Sequence, residues 1–294
     1  MPLVPNSALE LAKTLGYYAK AGVDVELERV QQTPSAVAAL RAGEGDMANI
    51  GFDTAVQLVA RGQMALKGVI SPDPSLPFLI AAKAALATPK DLDGKVFGVA
   101  RVGSVDYTLS RIVLAKLGVD VDHLQYLMIG QPAIRAQALA AGRIDATTIS
   151  IGVWSAIPDR SALKVMVDQA EFYRLAPFVA KLNVVTDEVA TAKAKEIAGV
   201  VRGLLMAERD FATKPGLWLN AMAVARPDVD RSTLETLDRA YRPHWAVDGG
   251  LDPAIVKFTT DTLYQGADFK DLRRVEPAEW IDRSFIAAAL KGAP

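Results

Sequence analysis

The chain has 294 residues, 51% of them hydrophobic, enough apolar surface for one large or two medium globular domains. Its 33 basic and 34 acidic residues nearly cancel and are scattered, which excludes an electrostatic footprint for nucleic acid or an anionic membrane. The absence of cysteine and the presence of only two histidines, His123 and His244, exclude disulfides, thiolate nucleophiles and a Cys- or His-rich metal site, and no apolar run is long enough to span a bilayer.

Met1-Pro2 leads straight into LVPNSALEL with no basic segment or cleavage site, which suits a cytosolic chain or an exported one whose leader has been removed. Ser7 followed by Glu10 reads as a capping box that opens a helix running to Lys20, with Gly22 as its stop. GVDVEL, Gly22 to Leu27, alternates apolar and charged residues and predicts a strand. Pro34 at the first helical position starts a second helix, Gly43 ends it, and a short strand begins near Asp46. In LKGVISPDPSLPFLIAAKAAL, Leu66 to Leu86, two apolar runs flank SPDPSLP and predict a strand, a turn and a second strand leaving the first lobe.

The same signals then recur in the same order. A Ser104-capped helix ends at Gly118, a strand follows through Val119 to Val121, Pro132 starts a helix that Gly142 ends, and a strand opens near Asp145. ALRAGEGDMA (Ala39 to Ala48) and ALAAGRIDA (Ala138 to Ala146) match at Leu40/Leu139, Ala42/Ala141, Gly43/Gly142 and Asp46/Asp145. Each copy reads β-α-β-α-β, and parallel neighbours need helical crossovers, so two α/β lobes with parallel sheets are expected. APFVAKLNVVTDE, Ala176 to Glu188, predicts the return strand. Helical patterns over Val189–Ala212, Leu217–Ala225, Ser232–Tyr241, Pro253–Tyr264 and Pro277–Leu290 then cover the first lobe. The expected division is 1–82 plus 182–294 for lobe I and 83–181 for lobe II. Two crossover strands form a hinge, with a cleft at the carboxyl ends of the strands.

LAKTLGYYAKAGVDVELERV, ALRAGEGDMANIGF, LVARGQMALKGVI, TPKDLDGKVFGVARVGS and ALAAGRIDATTI together resemble the substrate-binding proteins of ABC importers for alkanesulfonates, taurine, nitrate and related organic anions, over roughly residues 3 to 186. The resemblance implies a two-lobed type II periplasmic-binding-protein fold, a small organic anion held between the lobes, an ABC permease as partner and a periplasmic or otherwise extracytoplasmic monomer. It implies no cofactor, no metal and no chemistry. The first strand of that family is reduced here to Pro2–Pro5, which suggests a trimmed mature chain.

Topology places the candidate ligand-binding residues on strand-to-helix turns: Asn6 and Ser7; Thr33 and Ser35; Phe52, Asp53 and Thr54; Gly103 and Ser104; Gln131; Ser150 and Trp154. Ser7 and Ser104 form a symmetric pair at helix N-termini, where free N–H groups and the macrodipole favour an anion, although a serine cap needs no ligand to explain it. Arg101 offers a bidentate donor to the same anion and equally suits a surface ion pair. Phe52, Tyr107 and Trp154 are placed to stack on an aromatic carboxylate or sulfonate, though such rings are as often core. Asp46 and Asp145 read as scaffold that satisfies turn amides, not as a carboxylate dyad. The alternative is a cofactor-free enzyme on the same fold acting on a small carboxylate. Thiamine-pyrimidine synthases and porphobilinogen deaminases share that fold, but the lack of cysteine opposes both, whereas an enzyme of menaquinone-pathway type escapes that objection. A regulator's ligand-sensing domain would need a helix-turn-helix segment that does not precede the first lobe.

Overall fold

The computed structural model describes residue 4, residues 6–30 and residues 33–291. The reduced first strand expected at Pro2–Pro5 lies almost wholly outside them. The chain forms two compact units. Unit 1 takes the chain up to Pro74, Val179–Lys257 and the chain from Arg273 onward, and unit 2 takes Ser75–Phe178 and Phe258–Leu272.

Unit 1 opens with α1 (Ser7–Thr14) and α2 (Tyr17–Lys20). These replace the single helix expected over Ser7–Lys20, because Gly16 between them adopts a left-handed φ of 75°. α3 (Thr33–Ala42) is closed by Gly43, and β1 (Ala48–Gly51), α4 (Phe52–Ala60) and β2 (Leu66–Asp73) follow. The strand expected at Gly22–Leu27 does not form. Val23 and Val25 are half-buried and Asp24 and Glu26 exposed, so the alternation is physical, yet the segment joins no ladder among the described residues. Alternation shapes one face for packing; a strand also needs a neighbour's N–H and C=O groups.

Unit 2 contains β3 (Phe78–Lys83), β4 (Val96–Val99), α5 (Val105–Lys116), β5 (Gln125–Met128), α6 (Pro132–Ala140), β6 (Ala146–Ser150), α7 (Ile151–Ser155), β7 (Leu163–Val167) and α8 (Gln169–Leu175). Its five strands are ordered β5-β4-β6-β3-β7. β4 runs parallel to both β5 and β6, as the crossover pattern requires, while β3 is antiparallel to β6 and β7. The second strand of this copy forms at Gln125–Met128, beyond the Val119–Val121 stretch expected. Its buried core gathers Leu79, Ala81, Ala136, Leu139, Ile144, Ile149, Ile157 and Leu163.

The chain returns to unit 1 through β8 (Lys181–Thr186), which lies between β1 and β2 and is antiparallel to both. The sheet of unit 1 is therefore antiparallel among the described residues, contrary to the parallel arrangement expected. β1 and β2 run the same way, but the returning strand separates them. α9 (Asp187–Ala192), α10 (Ala194–Thr213), α11 (Leu217–Ala225), α12 (Arg231–Tyr241), α13 (Pro253–Tyr264), α14 (Pro277–Trp280) and α15 (Ser284–Lys291) complete the chain. α10 buries Ile197, Val201, Leu204, Leu205 and Phe211 on one face. Its Gly203 admits close approach of α2, since a Cβ there would lie 2.7 Å from the Tyr18 ring.

Phe258–Leu272, expected with lobe I, groups instead with unit 2. There the Lys116 ammonium stands 5.7 Å from the centre of the Phe258 ring, and Gly103 packs on Ala267. The changeovers at Pro74/Ser75 and Phe178/Val179 also precede the limits 82/83 and 181/182. Among the described residues no helix is long and apolar enough to cross a membrane, and no group of His, Asp or Glu is arranged to hold a metal ion.

Candidate ligand-binding site

In unit 2 the parallel strands β5, β4 and β6 end on the same edge of the sheet, and each runs into a helix there. These turns are the β4–α5 turn at Ala100–Ser104, the β5–α6 turn at Ile129–Gln131 and the β6–α7 junction at Ser150. They bring Arg101, Gly103, Ser104, Gln131 and Ser150 to one edge, where parallel α/β sheets hold ligands. Ser104 is the N-cap of α5 in an extended conformation (φ −72°, ψ 161°). Its hydroxyl does not cap the helix; it lies 2.6 Å from the Arg101 carbonyl and 2.6 Å from Asp106 Oδ1, acceptors for its single proton. Thr108 N–H donates to the Ser104 carbonyl and closes the first turn. The Ser104 side chain thus leaves the first-turn N–H groups of α5 to another acceptor. Ser150 differs, since its Oγ accepts from Val153 N–H and caps α7 itself. Gln131, the N-cap of α6, is exposed and makes no side-chain cap bond.

Several candidates are engaged elsewhere. Arg101 forms an ion pair with Asp268 in which both side chains are about half exposed. Tyr107 packs edge-on against Tyr126 at 4.9 Å, with the Arg111 guanidinium 5.6 Å from its ring centre. Trp154 packs on the core of unit 2 and under Arg160 at 5.5 Å.

In unit 1, Ser7 is fully buried and its Oγ accepts a 2.9 Å hydrogen bond from Trp218 Nε1, so its side chain faces the core and makes no capping box with Glu10. Phe52 is also fully buried, edge-on to Trp280 at 5.1 Å, and is core. Asn6 is the N-cap of α1, with helical φ and ψ and no cap bond. Thr33 and Ser35 lie in the first turn of α3, and Asp53 and Thr54 in that of α4. Asp53 is exposed, and its carboxylate at the start of α4 competes with any other anion there, whereas Asp106 in the first turn of α5 is buried and held by Ala100 N–H and Arg135.

The paired aspartates separate. Asp145 Oδ1 accepts from Lys83 Nζ at 2.7 Å and its Oδ2 from Val96 N–H at 2.9 Å, at the amino ends of β4 and β6, opposite the candidate edge. Burial pushes its carboxyl up, but the Lys83 and Val96 bonds outweigh that and hold it below the ordinary value. Asp46 makes an exposed ion pair with Lys193 at 2.7 Å. Asp145→Ala should therefore cost about 2 kcal/mol and Asp46→Ala under about 1 kcal/mol in denaturant titrations. Equal losses would contradict these different roles.

The residues that sequence reasoning missed are Asp106 and Arg135, both almost fully buried and 3.4 Å apart. The available signal was an arginine next to Ala136 and Leu139 on the inward stripe of α6.

The fold is that of the periplasmic binding proteins. The chain belongs to the NMT1/THI5-like family, whose model matches residues 7–216. It is similar to the periplasmic aliphatic sulphonate binding protein SsuA from Escherichia coli, with 16% identity, a TM-score of 0.70 and coverage of 95% of this chain and 89% of that one. The alkanesulfonate-binding protein SsuA from Xanthomonas axonopodis pv. citri, bound to MOPS, is 21% identical at a TM-score of 0.64, covering 95% and 96%. A DSZB mutant in complex with biphenyl-2-sulfinic acid is 14% identical at 0.64, covering 97% and 96%. No curated protein matches the sequence.

Proposed function

We propose that this protein is the solute-binding component of an ABC importer. On this reading it captures a small organic anion, a sulfonate or carboxylate, outside the cytoplasm and passes it to a permease without chemical change. The observation that carries this reading is the start of α5, where the Ser104 hydroxyl is turned to Arg101 and Asp106 and the helix N–H groups are left for an incoming anion. The sulfonate-binding proteins of the same fold support the ligand class. An aromatic ligand loses its support, because Phe52 is core and Tyr107 and Trp154 are packed against neighbouring side chains.

Ser104→Asp, an equivalent cap on an isolated helix, would here set a second carboxylate against Asp106 and is not a clean test. Val105→Pro is cleaner. Proline is tolerated at the first helical position and Ser104 is already extended, so the substitution deletes one donor and adds no charge. It should leave stability within about 0.5 kcal/mol and weaken binding of methanesulfonate or MOPS about tenfold to a hundredfold, the loss of one charge-assisted hydrogen bond. Unchanged affinity would remove α5 from the site. Mass spectrometry of the recovered anion separates the two classes of function: an unchanged anion supports binding alone, and a converted one supports the enzyme alternative.

A further inference from the structure

Arg135 reaches from α6 into the interior of unit 2 and spends its guanidinium on three acceptors. Nε donates to Thr147 Oγ1 at 3.1 Å and one terminal nitrogen to the Thr148 carbonyl at 2.9 Å, both on β6; the other terminal nitrogen donates to the Gly130 carbonyl in the β5–α6 turn. The nitrogen that holds Thr148 also lies 3.4 Å from Asp106 Oδ2. Asp106 in turn accepts from Ala100 N–H at 2.9 Å, at the end of β4, and its Oδ1 lies 2.6 Å from the Ser104 hydroxyl. The Thr147 hydroxyl donates a hydrogen bond to the Gly98 carbonyl of β4 at 2.8 Å. One buried ion pair therefore touches the β4–α5 turn, the β5–α6 turn and the middle of β6, at Thr147 and Thr148.

A buried ion pair is a poor source of net stability, because its desolvation offsets most of its attraction, and a nonpolar pair of similar volume holds a core as well. What it supplies is geometry. A planar guanidinium with five donors fixes several acceptors at once, which neither an ammonium nor an apolar side chain does.

We propose that Asp106 and Arg135 are positioning residues that lock the β4–α5 and β5–α6 turns of unit 2 to β6 in a single register, so that the N–H groups of α5 are presented to the anion already organised. The proposal rests on the binding reading given above. It assigns specificity to residues that never touch the ligand: turns held at fixed spacing admit anions of one size and reject larger ones.

The test uses Arg135→Lys, which keeps the charge but not the fork, and the double variant Asp106→Asn/Arg135→Met, which removes both charges together and preserves folding if the single variant does not. Amide hydrogen exchange is followed at 100–104 and 129–131, with β8 of unit 1 as internal reference, and methanesulfonate is titrated at a temperature where each variant is fully folded. Exchange in the two turns should quicken about tenfold or more with β8 unchanged, and methanesulfonate affinity should fall about tenfold. Wild-type discrimination between methanesulfonate and the bulkier MOPS should narrow in both variants. Turns that stay protected, or wild-type affinity and discrimination in folded variants, would overturn the proposal. If the unsubstituted protein binds neither probe, the binding reading fails, and the exchange data alone still decide whether the pair locks the turns.

Discussion

Raising the pH from 5 to 8 should cost the protein about 3 kcal/mol of stability through Asp73 alone. Asp73 closes β2, is buried, and leaves Oδ1 with no hydrogen-bond partner among the described residues. Burial pushes its carboxyl up to about 7, against the opposing pull of Lys181, its register partner on β8. Glu208 on α10 is also buried. Its Oε2 accepts from Ala246 N–H and its Oε1 has no partner among the described residues, and burial, with Asp73 and Asp248 nearby, raises it well above the usual carboxylate range. A carboxyl whose folded pKa is raised binds more protons folded than unfolded. Its contribution is fully present below the unfolded value near 4 and is lost as the pH climbs through about 7. Glu208 adds in the same direction. Asp145 and Asp210 have depressed values, so their contributions are lost only as the pH falls through those values, below this window. Denaturant midpoints across pH 5 to 8 measure the slope, and Asp73→Asn should flatten it. A slope of zero, or one that rises with pH, would show that the two acids are ionised in the folded protein.

Trp218→Ala should cost about 3 to 5 kcal/mol. The indole is fully buried, its ring centre is 6.3 Å from that of Trp245, and Trp245 packs in turn on Phe211 at 5.2 Å and Tyr241 at 4.9 Å. Truncation opens a large cavity in this cluster and strands the Ser7 hydroxyl, which loses its donor. Trp218→Phe keeps most of the ring packing and should lose about half as much. Ser7→Ala leaves the indole N–H unpaired, a penalty of about 1 to 3 kcal/mol, and should not alter anion affinity per folded molecule. Denaturant titrations should rank Trp218→Ala as the least stable, Trp218→Phe above it and the unsubstituted protein highest. A loss under about 1 kcal/mol for Trp218→Ala would contradict the packing described. A selective loss of binding in Ser7→Ala would restore Ser7 to the site.

Much of this molecule is written locally. Gly43 and Gly142 end their helices with φ of 72° each, Pro132 starts α6, and the recurrence of helix, glycine and aspartate announces a repeated α/β plan. Such signals act over a few residues, where backbone sterics and the first turn of a helix decide the outcome without reference to the rest of the chain. Partnership across the chain is a different matter. Ser7 looks like a cap until Trp218 takes its hydroxyl, Phe52 looks like a stacking ring until Trp280 covers it, and Arg101 looks like a ligand donor until Asp268 pairs with it. The strand pattern at Gly22–Leu27 finds no ladder among the described residues, and Asp106 and Arg135 become a unit only when α5 and α6 pack beside the same strands. A polar group takes its role from what shares its desolvated surroundings. For these residues the partners lie far along the chain, so only the tertiary structure decides which of them face a ligand and which hold the core together.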